Sequence, residues 1–160
     1  MRNRLRWSLI GVVVAFAAAG VLAQTAGGSF HSDISAKAVS PVCSSGIAIR
    51  GDASGSMNGK FAISFDCAGD ALVGGNWRMV VTETGRDGAP MEVGQIFGVV
   101  ARGSVQRDHA GRVTKVGDVE LTISKGTGKY AAVESGTGYL GATINSNADP
   151  QVRGSMGLNF

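Results

Sequence analysis

Chemistry in this 160-residue chain would have to come from a short set of side chains. Two glutamates, Glu83 and Glu120, lie in segments with strand spacing. A carboxylate carried on a strand can act as general acid or base, or anchor a water. Glu120 alternates with Val119 and Leu121, which sends it outward if those two are core. Glu83 sits between Thr82 and Thr84 near a strand end and should meet solvent. His31 and His109 are the two groups that titrate near neutrality. His109 lies between Asp108 and Ala110 in a turn, where a solvated imidazole is expected. No serine stands in a Gly-x-Ser-x-Gly elbow, so no Ser–His–Asp set is predicted. Gly126-Thr127-Gly128-Lys129 shares a few letters with a phosphate loop. The full Gly-x-x-x-x-Gly-Lys-Ser/Thr pattern and its helix are missing, so Gly126, Thr127 and Gly128 are expected to form a structural turn.

The remaining reactive residues are Cys43 and Cys67, and their chemistry depends on compartment. Arg2, Arg4 and Arg6 precede an uncharged apolar run from Leu9 to Leu22, and Val21-Leu22-Ala23 offers a cut before Gln24. Residues 1–23 therefore read as a secretory signal peptide. The run is shorter than the roughly 20 apolar residues of a membrane span, and no span is expected after cleavage. The location implied is secreted or periplasmic. There an even pair of cysteines defaults to one disulfide, Cys43–Cys67. Its loop of about 25 residues is worth roughly 3 kcal/mol in the chain-entropy account. Neither histidine is close to a cysteine in sequence, and no metal or cofactor is expected.

Charge narrows the partners. The chain has 15 Lys+Arg and 12 Asp+Glu, and three of the arginines belong to the signal segment, which leaves 12 against 12. The charges show no run of like sign. A nucleic-acid surface needs clustered cations to displace counterions, so no nucleic-acid partner is expected. About 137 residues remain, enough for one domain with its own core.

The elements that would position these groups are strands. Residues 24–42 are small and polar and read as a flexible N-terminal arm, or as a first, weakly patterned strand; the folded domain is expected at 43–160. Apolar residues then recur with period two. Strands are predicted from Ile47, over Phe61–Phe65 and over Trp77–Glu83. Further strands are predicted over Ile96–Gln106, Val113–Ser124, Tyr139–Ile144 and Val152–Leu158. Gly98 and Gly103 inside the long strand predict bulges or barrel corners. Residues 85–90, 107–112 and 145–150 read as connectors. Seven or eight strands at this spacing fit an all-β sandwich or barrel.

From about Gln95 to Phe160 the order is a strand, Gly-Thr-Gly-Lys-Tyr at 126–130, small residues, Ser-Gly-Thr-Gly-Tyr-Leu-Gly at 135–141, and a final strand. This half resembles the allene oxide cyclase and dirigent barrels. The resemblance implies a single antiparallel barrel of about eight strands, calycin-like, in which Lys129–Val133 crosses one end as a short helical turn. An allene oxide cyclase-like or dirigent-like enzyme would work in the lumen, on an apolar epoxide or a phenoxy radical. A dirigent likeness would cast Asp118 and Arg102 as inward groups. The catalytic residues are not identified by it. Trp77, Met79, Phe97 and Tyr139 are the lumen candidates for an apolar ligand, and Gly98, Ala101, Gly103, Gly138, Ala142 and Gly154 would leave interior volume for it. Three functions fit such a barrel: a non-catalytic exported protein binding a small apolar ligand or envelope component, a lumenal cyclase or lyase, and a self-associating (homo-oligomeric) envelope protein.

Overall fold

The computed structural model describes residues 27–46, 48–145 and 148–160; the expected signal peptide, the start of the arm and Ile47 lie outside the described residues. There are ten strands among them: β1 Ser29–Ala38, β2 Ile49–Gly55, β3 Asn58–Ile63, β4 Asp66–Ala68, β5 Ala71–Gly74, β6 Asn76–Thr84, β7 Pro90–Arg107, β8 Val113–Gly126, β9 Gly136–Ile144 and β10 Gln151–Asn159. Eight of them close a ring, β1-β2-β3-β6-β7-β8-β9-β10 and back to β1, every neighbour antiparallel. The all-β barrel expected from the sequence is the fold. The short β4–β5 hairpin prolongs β3 and β6 past one rim, where β5 pairs with β7 at Ala71↔Ser104 and Leu72↔Gly103.

Period-two patterning explains the closure. Trp77, Met79 and Val81 of β6 point inward and are buried, as do Phe61 and Ile63 of β3 and Val119, Leu121 and Ile123 of β8. They join one continuous hydrophobic cluster. Each such side chain taken out of water stabilises the fold by about 1.5–3 kcal/mol. The long strand is irregular where its glycines predicted: register shifts fall at Phe97/Gly98 and across Gly103, between Arg102 and Ser104, with others between Val100 and Arg102 and between Gln106 and Arg107.

The arm reading fails over Ser29–Ala38, which form β1 with β2 on one side and β10 on the other. Its inward residues are Ser32, Ile34 and Ala36, so only one large apolar side chain marked the strand. Ser32 is buried with its hydroxyl donating to the Met57 carbonyl at 2.6 Å. The small residues of the strands leave no open lumen. A Cβ at Gly98 would meet the Trp77 ring, at Gly138 Leu158, and at Gly154 Ala142. The volume above these glycines is already taken by neighbours, so the barrel is packed with side chains, as an eight-stranded barrel can be.

The two ends differ. At one, a single 3-10 turn at Gly128–Tyr130 carries the chain across the opening with Tyr130 and Val133 buried beneath it. The Gly126 N–H donates to the Val133 carbonyl at 2.9 Å and closes the crossing. Phe160 stacks on Phe30 with centroids 5.1 Å apart and meets Tyr130 edge-on at 5.9 Å. At the other end lie the β1–β2, β7–β8 and β9–β10 connections and the β4–β5 hairpin.

Candidate functional site

The open end holds a cavity of about 670 Å³. Its walls come from three connections: Ala38–Val42 after β1, Arg107–Val113 between β7 and β8, and the segment between β9 and β10 with Ile144 and Pro150. Val42 and Ile144 are buried at its floor, and Val39 stands 54% exposed at its rim.

Local chemistry sets these walls. In the β7–β8 hairpin the Asp108 carboxylate accepts from the backbone N–H groups of Ala110 and Arg112, at 2.9 Å each, and from the Arg112 guanidinium at 2.9 Å. Gly111 takes φ +77°, which glycine adopts without steric cost. The Arg112 backbone N–H, followed by the Arg112 guanidinium, holds the Asp108 carboxyl below the usual carboxylate range. Arg107 ties the rim together. Its Nε donates to Asp70 of the β4–β5 turn at 2.9 Å and its Nη1 to the Gly111 carbonyl at 2.9 Å, while Nη2 lies 3.7 Å from Cys43 Sγ. Cys43 is bonded to Cys67 of β4, the expected disulfide, with Cα atoms 5.3 Å apart. The bridge fastens the loop that forms one cavity wall to the hairpin that Arg107 also grips. Both arginines of the cavity are thus ion-paired, Arg107 with Asp70 and Arg112 with Asp108. The site offers apolar surface beside cations that are already ion-paired.

The lumen candidates separate. Trp77 and Met79 are inward and buried. Phe97 and Tyr139 are not in the lumen. Phe97 follows inward Ile96 and so faces out, half-buried, with the Lys125 ammonium 5.3 Å from its ring centroid. Tyr139 precedes inward Leu140 and is 48% exposed. Parity decides both: aromatic size suggested interior, but strand alternation places them outside. Asp118 and Arg102 are likewise exposed, against the inward roles a dirigent likeness implied. Asp118 sits at φ +51° beside the Val116/Val119 register shift. Arg102 bonds Glu120 across β7–β8, and this hydrogen bond lowers the Glu120 pKa and raises that of Arg102. Glu83 pairs with Lys129, whose pKa the hydrogen bond to Glu83 raises. His109 is exposed in its turn, and His31 lies on β1 with Nδ1 and the Tyr139 hydroxyl sharing a hydrogen bond of 2.8 Å. No group of three or more His, Cys, Asp or Glu among the described residues is placed to hold a metal.

Two arrangements were hidden in linear order. The cavity gathers residues from three connectors that read separately as turns. Register also aligns Lys37, Arg50, Ala62, Arg78, Phe97 and Lys125 in one cross-strand row, so charges dispersed in sequence become a cationic row on the outer face. The outward parity of each residue was the available signal; the pairing partners were not.

No family model, no curated protein and no solved structure matches this chain. The barrel therefore rests on its own geometry. Among the described residues no helix is long and apolar enough to cross a membrane.

Proposed function

We propose that this is an exported, non-catalytic binding protein that holds a small, largely apolar molecule in the loop-walled cavity at the open end of its barrel. The observation that carries this reading is the combination of an approximately 670 Å³ cavity with arginines already paired to Asp70 and Asp108. Ligand sites are commonly concave, mostly apolar and of this size, and the mouths of β-barrels are a frequent location. The disulfide beside the cavity supports export, because such bridges persist in oxidising compartments. A lumenal cyclase or lyase has less support. Among the described residues no carboxylate, histidine or lysine is buried in the core, and Ser32 is already bonded to Met57. The ligand accordingly belongs at the rim and not inside the barrel.

The experiment is a titration of the processed protein with a neutral environment-sensitive probe, N-phenyl-1-naphthylamine. Saturable binding at one site is expected, with loss in Val39→Asp, which puts a charge at the rim, and in Val113→Trp, which fills the cavity. Equal binding by wild type and both variants would remove the cavity from consideration.

A further inference from the structure

The outer face of β8, β9 and β10 carries an aromatic side chain in an unusual setting. Tyr139, Gly157 and His31 occupy directly opposed positions on β9, β10 and β1. All three lie on the outer face, yet Gly157 is buried. The Tyr139 ring covers it, since a Cβ at Gly157 would overlap Cε1 and Cζ of that ring. The ring reaches across β10 until its hydroxyl meets His31 Nδ1 at 2.8 Å. His31 is itself fixed: its backbone N–H donates to Ser56 Oγ at 2.6 Å, and the Ser56 hydroxyl donates back to the His31 carbonyl at 2.9 Å. One side of the ring is therefore seated on backbone and the hydroxyl is pinned, while 48% of the residue stays exposed.

Beside the ring runs a groove of about 340 Å³ along Glu120, Thr122, Thr137 and Asn159. Thr122, Thr137 and Asn159 form the next outward cross-strand row. No hydrogen bond engages the side chains of these three among the described residues. Two positions along a strand separate the rows by about 7 Å, the dimension of a sugar ring. Glu120, opposite Tyr139 on β8 and paired with Arg102, adds a carboxylate acceptor beside the ring.

We propose that this face is a glycan-binding site, in which a hexopyranose of an oligosaccharide stacks its C–H face on Tyr139 and hydrogen-bonds through its hydroxyls to Thr122, Thr137, Asn159 and Glu120. A flat, pre-positioned aromatic with an apolar body and polar neighbours suits a pyranose, which presents apolar C–H faces and hydroxyl edges. Because the ring is already held by Gly157 and His31, little conformational freedom is lost on binding. The site is separate from the cavity at the open end: it uses β8–β10 between the barrel rims, and the two share no lining residue.

The test is isothermal titration of the processed protein with cellohexaose, maltohexaose and chitohexaose in parallel. At least one is expected to bind. Tyr139→Ala should weaken that binding about tenfold or more, and Tyr139→Phe, which keeps the ring, by no more than about threefold. Val73→Ala, exposed on β5, should leave it unchanged. Amide shifts of the wild-type protein with the same hexasaccharide should concentrate at Thr137, Gly138 and Gly157, a measurement that stands even if Tyr139→Ala folds poorly. Binding of none of the three, or shifts lying elsewhere, would overturn the proposal, as would wild-type affinity in Tyr139→Ala. Loss of the naphthylamine site in Val39→Asp with glycan binding intact would show that the two sites fail independently.

Discussion

The Trp77 indole lies against the backbone of Gly98, its directly opposed partner on β7, so closely that a Cβ there would stand 2.6 Å from Nε1. The fit fills the barrel interior but leaves the Nε1–H buried without a hydrogen-bond partner among the described residues. An orphaned buried donor costs about 1–3 kcal/mol.

Trp77→Phe should therefore be mild, within about 1–2 kcal/mol of wild type, because the lost packing is offset by removal of the unpaired N–H. Trp77→Ala should lose about 3–5 kcal/mol through the cavity it leaves. Gly98→Ala should also be severe, since the added methyl would strike both the indole and the Thr122 carbonyl. Guanidinium unfolding of the three variants checks this ranking. A Phe variant as damaged as the Ala variant would show that the indole N–H is not an energetic burden.

The crossing turn gives a second contrast. Gly128 takes φ +59° and packs onto Val93 and Gly94. Gly126 has no positive φ; its constraint is space, because a Cβ would overlap Tyr130. Gly128→Ala should cost more than about 1 kcal/mol, lowering the thermal midpoint by roughly 4 °C or more. Lys129→Ala removes only an exposed pair with Glu83, worth about 1 kcal/mol at most. Equal midpoints for the two variants would contradict this account of the turn.

Much of this architecture was legible because β-strands write their buried face at every second residue. Trp77, Met79 and Val81, or Val119, Leu121 and Ile123, announce their strands directly. β1 was ambiguous because Ser32 and Ala36 face the core with little apolar bulk, and its partners are distant, at Ile49–Gly55 and Gln151–Asn159. The disulfide followed from compartment and count. The sites did not follow, since they depend on register. Nothing in linear order shows that Tyr139 will lie over Gly157 beside His31, or that Arg107 will reach Asp70 and Cys43.

The disulfide offers a test of the open end. Cys43→Ala with Cys67→Ala should lower stability by about 3 kcal/mol on the chain-entropy account. It should also weaken naphthylamine binding, because the Ala38–Val42 wall loses its tether to β4 while Arg107 loses its sulfur neighbour. Urea unfolding and the probe titration measure the two effects separately. Unchanged affinity would mean that Pro41 and the β1–β2 pairing hold the wall without the bridge.

Ala62 provides the last prediction. It sits on the outer face directly between Arg50 and Arg78, and the flanking side chains shade it to 8% exposure. No ion pair among the described residues engages Arg50, Lys60 or Arg78. A notch of about 320 Å³ lies among them. Ala62→Glu would place a carboxylate opposite both guanidinium groups, and opposed unlike charges contribute about 0.2–1 kcal/mol per pair. A gain near 1 kcal/mol is expected at low salt, shrinking in 1 M salt, where screening acts over about 3 Å. Ala62→Gln, of similar shape without the charge, should show no such gain. The introduced carboxylate would have a depressed pKa in the folded state, so its contribution is present at neutral pH and lost on acidification through that lowered pKa. Thermal midpoints at two salt concentrations for both variants decide it. A glutamate gain that persists in high salt, or that glutamine matches, would mean that the cationic row carries no strain for a carboxylate to relieve.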